Sequence, residues 1–185
     1  MKAILISIKP KWVAKILNGE KTIEIRKTIS KCDLPIDVYI YCSKGQPMII
    51  KHYDETTNQF YNGKVVARFT LNKVHSFYYF DKDLLALACI SQEEALKYMG
   101  KNEGYAWQID DLEIFDKPKE LSEFKSYKKN IVNTKINGMV FETELDNSLT
   151  KAPQNYCYVE VVDRIVHLID EAQRKNEYEE ERNGK

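Results

Sequence analysis

The sequence predicts a domain of the α+β class in which strands outnumber helices. Short segments rich in β-branched and aromatic residues recur along the chain, and apolar residues alternate with period two within them. Helical spacing of apolar residues is confined to a few short stretches. With 185 residues, of which 43% are hydrophobic and 30% charged, the chain suits one domain with a buried core and some elaborations.

The first elements are a strand over residues 3–8 and a helix over residues 10–18. In the helix, Trp12, Val13 and Ile16 recur at helical spacing, which predicts one buried side and one side rich in lysine. The sequence Asn18-Gly19 ends the helix, because glycine readily adopts the left-handed conformation that follows a helix C-terminus.

The next strand, over residues 22–26, is the main reason to expect a functional site. Period two places Thr22, Glu24 and Arg26 on one face of this strand. Residues 1–31 contain eight basic and only two acidic side chains, although the whole chain has a net charge of zero. A local positive field attracts phosphate groups and other anions, whereas a neutral chain is not suited to broad binding of duplex nucleic acid. The alternative is a solvated lysine face with a surface ion pair between Glu24 and Arg26.

The rest of the chain continues the mixed pattern. Helices are predicted over residues 81–89 and 91–99, the second with a capping box formed by Ser91 and Glu94. Pro118 should end the strand before it, because proline has no N–H to donate to a ladder. Strands are predicted over residues 36–42, 63–71, 105–115 and 156–162.

Three segments look like additions to the domain of residues 1–162. Residues 43–62 are polar and irregular, which indicates an inserted loop. Residues 130–150 predict an inserted hairpin that turns at Asn137-Gly138. Residues 163–185 begin with a helical pattern and become an acidic tail. The 130–150 segment and the tail are candidates for contact with a protein partner.

The composition excludes several classes of site. The four cysteines are spread without a Cys-x-x-Cys pair and the chain has three histidines, so the spacing of a zinc site is absent. Cys42 and Cys157 lie in apolar strand patterns, where a cysteine is usually a small hydrophobic residue. No apolar run approaches the length of a membrane span and no cleavage-site pattern follows the N-terminus, so we expect a cytoplasmic protein that has no membrane partner.

Several motifs together resemble the ASCH (activating signal cointegrator homology) domain family, which has a PUA-like fold. They are Ser-Ile-Lys-Pro, Asn-Gly-Glu-Lys-Thr, Thr-Ile-Glu-Ile-Arg-Lys, Val-Tyr-Ile-Tyr, Gly-Lys-Val-Val, Tyr-Ala-Trp-Gln-Ile and Pro-Gln-Asn-Tyr-Cys-Tyr-Val-Glu, in this order between residues 3 and 162. The resemblance implies a twisted, mixed β-barrel with a helix between the first two strands, additional peripheral helices, and a cleft beside the first helix.

The resemblance also implies a ligand, RNA or a modified nucleoside. The cleft residues that it implies are Lys9, Lys21, Thr22, Glu24 and Arg26. Tyr41 and Trp107 are further candidates, because aromatic side chains stack on splayed bases in proteins that bind single-stranded RNA.

Whether the cleft catalyses a reaction stays open. One subset of the family is similar to acetylcytidine amidohydrolases that use Lys-Thr-x-Thr-x-Arg, and here Lys21, Thr22 and Arg26 match while Glu24 replaces the nucleophilic threonine. Lys21 and Glu24 are therefore the catalytic candidates of an enzyme, with Glu24 acting on a water and Lys21 stabilising an oxyanion. A second subset is linked to metal-assisted cleavage of RNA. We expect no cofactor and no protein metal site, with a divalent metal needed only by a nuclease.

Overall fold

A computed structural model describes residues 1–29, 31–45, 61–136 and 139–160. These ranges contain eleven strands and three α-helices, so the α+β class is confirmed. The strands are β1 (Lys2–Ile8), β2 (Ile23–Arg26), β3 (Ile36–Cys42), β4 (Val65–Leu71), β5 (Val74–Phe77), β6 (Gly104–Gln108), β7 (Asp110–Lys119), β8 (Lys125–Ser126), β9 (Asn130–Ile136), β10 (Met139–Leu145) and β11 (Tyr156–Glu160). The helices are α1 (Pro10–Leu17), α2 (Lys82–Leu87) and α3 (Gln92–Met99).

A six-stranded sheet with the order β7-β4-β3-β1-β11-β8 forms the centre of the fold. Strand β1 lies in its middle, parallel to β3 and antiparallel to β11. Successive side chains of β1 point to opposite faces, so Ile4 and Ile6 enter one apolar cluster while Ala3 and Leu5 enter another. Both faces of the sheet are therefore covered near β1, and the residues that follow it are held by a rigid element.

A second sheet, with the order β2-β6-β5, lies over the first. The larger apolar cluster joins the two layers, because Val13 and Ile16 of α1 and Trp107 of β6 pack in it with the isoleucines of β1. This packing fixes α1 between β1 and β2, as the sequence predicts. Strand β2 is an edge strand of its sheet.

The expected closed barrel is not confirmed. The described strands form separate sheets, and the six-stranded sheet ends at β7 and β8 without pairing these two strands to each other. The chain passes from one sheet to the other between β6 and β7, where Ile109 donates its N–H to the Thr22 carbonyl. Asp111, the second residue of β7, has a φ of 47°. Aspartate tolerates this left-handed conformation better than most residues do, so the chain can turn here.

Two predictions for this region need correction. The single strand predicted over residues 105–115 is divided into β6 and β7, because the alternation of apolar residues continues through the point at which the chain changes sheets. Pro118 does not end the strand, and β7 runs to Lys119. Strand β7 is an edge strand, and at an edge a proline costs no ladder hydrogen bond if its nitrogen faces away from the neighbouring strand.

The capping box predicted for the helix after residue 90 is present. The side chain of Ser91 accepts a hydrogen bond from the Glu94 N–H, and the Glu94 carboxylate accepts from the Ser91 N–H. Gly100 follows the helix with a φ of 74°. Among the described residues, no helix has the length and apolar character needed to cross a membrane.

The hairpin predicted over residues 130–150 is present as β9 and β10, which pair antiparallel from Ile136 opposite Met139 to Asn130 opposite Leu145. Its predicted turn at residues 137–138 lies outside the described residues, as do residues 46–60 of the predicted insertion and residues 161–185, which include the predicted C-terminal helix and tail. The role of the hairpin and tail in contacting a protein stays a prediction.

Candidate functional site

A cleft of about 1160 Å³ lies beside α1. In the part of the chain that the structure describes, its lining comes from the end of β1, the start of α1, β2, the end of β3, α3 and residues 150–154. Local sequence explains the position of α1 in this wall. Lys9 is extended, with φ −68° and ψ 145°, and Pro10 starts the helix at a position where its missing N–H has no cost. Gly19, with a φ of 75°, lets the chain leave the helix and return as β2.

Three charged side chains are buried together beside this cleft. Lys21, Glu24 and Arg26 are only 4%, 8% and 4% exposed. The Nζ atom of Lys21 lies 3.2 Å from Glu24 Oε2, and the Nε atom of Arg26 lies 3.2 Å from Glu24 Oε1. The carboxylate is therefore held between two cations, each meeting a different oxygen. Because burial strips all three groups of water, the arrangement depends on mutual compensation of charge.

The Lys21 ammonium group is enclosed by acceptors. It donates to the Ile23 carbonyl at 2.7 Å and to the Ala88 carbonyl at 2.8 Å, and its third neighbour is the Glu24 carboxylate. Ala88 is the C-cap residue of α2, so the lysine also connects the end of α2 to β2. An ammonium group has three donors, and Lys21 has three acceptor groups beside it. Lys21 is thus placed to hold Glu24 and the backbone around it.

Arg26 connects the same carboxylate to the wall of the cleft. Its guanidinium donates to the Asn155 Oδ1 atom at 2.9 Å and to the Ser7 carbonyl at 3.0 Å. The Asn155 amide nitrogen donates in turn to Thr28 Oγ1 at 3.2 Å. Ser7 binds the same segment twice more, with its N–H on the Asn155 carbonyl and its hydroxyl on the Pro153 carbonyl. Residues 150–155, which we call the wall segment, are therefore fastened to β1 and β2 through Arg26 and Ser7.

Because Asn155 accepts a hydrogen bond from Arg26, two substitutions at Asn155 should lower the free energy of unfolding to different extents. Asn155→Leu should lower the free energy of unfolding by about 1–3 kcal/mol, because it leaves a buried Arg26 donor without its acceptor. Asn155→Asp keeps an acceptor for Arg26 and should cost less than the leucine substitution. Urea unfolding of both variants measures the difference. Equal losses in the two variants would contradict the role assigned to the Arg26 bond.

The structure brings together some of the residues that the sequence singled out. Lys9, Lys21, Glu24 and Tyr41 line the cleft. Arg26 lies behind Glu24 and is not part of the lining.

The two other candidates lie away from the cleft. Thr22 precedes β2 and is exposed, with its backbone bonded to Leu87 and Ile109. Trp107 is fully buried in the core, opposite Glu24 in the ladder between β2 and β6. Period two correctly grouped Glu24 with Arg26, but it did not show that the strand begins one residue after Thr22.

Other lining residues were not singled out from the sequence. Trp12 was assigned to the buried side of α1, yet it is partly exposed and lines the cleft. Tyr98 lines the cleft from α3. Lys44, Lys97 and Lys151 also line it, from three parts of the chain far apart in sequence. No periodicity links these positions in the sequence. The one available signal is the position of Trp12 directly after Lys-Pro-Lys, where the predicted basic segment begins its helix.

The lining is rich in positive charge. Six lysines line the described part of the cleft, against two glutamates, Glu24 and Glu94. Lys11 pairs with Glu94 at 2.5 Å, and Lys21 pairs with Glu24. Within the described ranges, the other four lysines line the cleft without an ion pair, namely Lys9, Lys44, Lys97 and Lys151. Such uncompensated charges attract anionic ligands into a concave site.

The Tyr41 hydroxyl and the Cys42 thiol, which lie at or beside the cleft, are neutral at neutral pH. Burial raises the pKa of the Tyr41 hydroxyl, and the nearby Cys42 and Glu120 raise it further. Burial also raises the pKa of the Cys42 thiol to about 12, which makes it a poor nucleophile and agrees with a packing role. No group of three His, Cys, Asp or Glu side chains that could hold a metal occurs in the described ranges.

Solved structures with similar folds come from Zymomonas mobilis. A single-substitution variant of an ASCH protein from this organism is 18% identical, with a TM-score of 0.55 over 91% of this chain and 94% of that one. The unsubstituted ASCH protein is 20% identical, with a TM-score of 0.48 over 64% and 73%. A further variant is 20% identical, with a TM-score of 0.47 over 65% and 77%. The sequence matches no family model and no curated protein.

Proposed function

We propose that this chain, which has the ASCH fold, binds single-stranded RNA or a modified nucleoside in the cleft beside α1. An ASCH fold agrees with the sequence motifs, while the closed barrel that they also imply is not confirmed. The observation that carries the proposal is the composition of the cleft, in which six lysines surround a buried carboxylate and two partly exposed aromatic rings. Phosphate groups, base edges and base faces are the parts of a nucleotide that such groups recognise.

The roles divide between exposed and buried charges. Lys9, Lys44 and Lys151 have no ion pair among the described residues and would contact phosphates. Glu24 would accept a hydrogen bond from the amino group of a base. Lys21 and Arg26 would act indirectly, by holding the Glu24 carboxylate and the wall segment in place. This division differs from the expectation that Lys21 and Arg26 contact the ligand themselves.

The direct test is equilibrium binding of the wild-type protein to short single-stranded RNAs and to natural and acylated nucleosides over a range of salt concentrations. The proposal expects saturable binding of at least one of these ligands, with RNA affinity that falls as salt rises. A duplex of the same length is the control and should bind less tightly. A folded wild-type protein that binds none of the panel would overturn the proposal.

A second candidate is hydrolysis of a nucleic-acid substrate in the same cleft. It is favoured by one observation: a buried carboxylate, Glu24, lines the cleft at the position that matches the nucleophilic threonine of the amidohydrolases. Glu24 would accept a proton from a water that attacks the substrate. An oxyanion would have to displace one of the three acceptors that already surround Lys21.

Mass spectrometry of acylated nucleosides and RNAs incubated with the protein, with and without divalent metal, tests this second candidate. Product formation that Glu24→Gln abolishes, under conditions in which the variant is folded, would support hydrolysis by Glu24. Product formation that requires Mg²⁺ would point to the nuclease, with the substrate phosphates supplying metal ligands. If a ligand binds and no product forms, hydrolysis is excluded and the proposed binding function remains.

A further inference from the structure

We propose that Trp12 is the surface on which the ligand's base stacks, and that the Lys11–Glu94 ion pair covers this surface until a ligand displaces it. The inference rests on the proposed function and names the part of the cleft that holds the base. It also replaces Tyr41 and Trp107, the two stacking candidates from the sequence, both of which are buried.

Trp12 is the aromatic residue of α1 that meets both the core and the cleft. It packs against the apolar cluster that contains its neighbours Val13 and Ile16, which holds the indole in one orientation. It is nevertheless partly exposed and lines the cleft. A ring that is fixed on one side and open on the other has the geometry of a stacking platform, because little side-chain freedom is lost on binding.

Two lysine ammonium groups lie near the Trp12 ring, and the exposed one, Lys11, shows that the ring can be approached from the cleft. Lys11 Nζ lies 4.2 Å from the centre of the Trp12 ring, and Lys21 Nζ lies 5.5 Å from it. Both groups line the cleft. The negative potential of an indole face attracts cations, and the same face stacks against the planar ring of a base. Lys11 therefore occupies the space that a stacked base would need.

The ion pair that positions Lys11 is easily opened. Lys11 and Glu94 are 56% and 46% exposed, so water and salt screen their attraction. Glu94 belongs to α3, and Tyr98 follows it on the same helix face and also lines the cleft. The pair thus joins α1 to α3 across the cleft, and its lysine lies over the Trp12 ring. A base that enters and stacks on Trp12 would move Lys11 away, with a modest loss of ion-pair energy.

The buried carboxylate limits which base fits. Glu24 lines the same cleft, and its neighbour Lys21 lies within 5.5 Å of the Trp12 ring centre. A base stacked on Trp12 would therefore lie close to an acceptor that has no hydrogen to donate. Bases with an exocyclic amino group, namely adenine, cytosine and guanine, should be preferred over uracil.

Tryptophan fluorescence tests the stacking directly, because the chain has two tryptophans and only Trp12 lines the cleft. In a Trp107→Phe variant, titration with a cytosine-containing hexanucleotide RNA should quench the emission of Trp12 along a saturable curve. In a Trp12→Phe variant, the emission of the buried Trp107 should stay constant. Circular dichroism checks that each variant is folded, and Trp107 makes no side-chain hydrogen bond that phenylalanine would lose.

Affinity gives a second readout that does not depend on the Trp107 variant. Trp12→Leu should raise the Kd for the RNA by about 10-fold, which is typical for the loss of one stacked base, and Trp12→Phe should retain most of the affinity. Unchanged affinity in Trp12→Leu, with normal binding by the wild type, would overturn the inference and leave the proposed function standing. Absence of binding by the wild type itself would overturn both.

Uncharged nucleosides test whether Lys11 covers the Trp12 ring, because they have no phosphate that the lysines could attract. Lys11→Ala should bind cytidine about twofold to fivefold more tightly than the wild type does, since the ring is then open. Lys101→Ala is the matched control, because it removes a lysine from an equally exposed ion pair with Glu103 outside the cleft. If the Lys11 variant, the control and the wild type bind cytidine with equal affinity, Lys11 does not block access to the Trp12 ring.

Discussion

Replacing Glu24 by glutamine is expected to lower the free energy of unfolding by about 3–5 kcal/mol, the cost typical of removing one partner from a buried ion pair. The substitution keeps the shape of the side chain but removes the charge that compensates Lys21 and Arg26. Both cations are almost fully buried, so water cannot replace the carboxylate. Urea unfolding should show a midpoint about 1–2 M lower, with a slope close to that of the wild type.

The control for this experiment is Glu103→Gln. Glu103 pairs with Lys101, and both side chains are about half exposed, so the change in unfolding free energy should stay below about 1 kcal/mol. Comparable losses in the two variants would show that Glu24 is not compensated by its neighbours in the way described. The result also sets the conditions for the hydrolysis test, because turnover by Glu24→Gln is informative only below its unfolding transition.

Replacing Lys9, Lys44 and Lys151 together by alanine is expected to weaken binding of single-stranded RNA roughly 100-fold at 0.1 M salt. Each lysine that neutralises a phosphate releases about 0.7 of a counterion from a single strand, so three contacts contribute about two powers of ten at this concentration. For the same reason, the plot of log affinity against log salt should become less steep by about 2. Fluorescence anisotropy of a labelled RNA at several salt concentrations measures both quantities.

A matched variant separates the cleft from general charge. Lys73, Lys82 and Lys128 are exposed and do not line the described part of the cleft, so their replacement by alanine changes the net charge equally. This control should keep most of the affinity and nearly all of the salt dependence. If the two triple variants lose affinity to the same extent, the lysines act only through the overall field and the cleft is not the binding surface.

The two experiments distinguish two kinds of basic residue in one motif. Lys9 contributes charge to the cleft lining and should affect binding without much effect on stability, because it is exposed and has no ion pair among the described residues. Lys21 and Arg26 are buried in hydrogen bonds to backbone carbonyls and to Asn155, so their loss should first affect stability. A variant of either residue that loses affinity therefore needs a measurement of folding beside it.

Local sequence determined the elements around the cleft. Helix α1 begins at Pro10 and ends before Gly19 because proline and glycine favour these positions through their own backbone geometry. The capping box of Ser91 and Glu94 and the pairing of β9 with β10 depend on residues near one another in sequence. The alternation in β2 likewise placed Glu24 and Arg26 together, and the motifs around it gave the ASCH fold.

Only the tertiary structure decided what these residues contact. The partner of Arg26 is Asn155, 129 positions away, and the partner of Lys11 is Glu94, 83 positions away. The change of sheet between β6 and β7, the partial exposure of Trp12 and the burial of Trp107 also follow from packing between distant strands. Periodicity reports which side of an element is apolar, but burial of a charge depends on elements that pack over it from elsewhere in the chain. The sequence therefore predicted the fold class and the motif. Which lysines and aromatic rings lie in the core and which line the cleft could be read only from the tertiary structure.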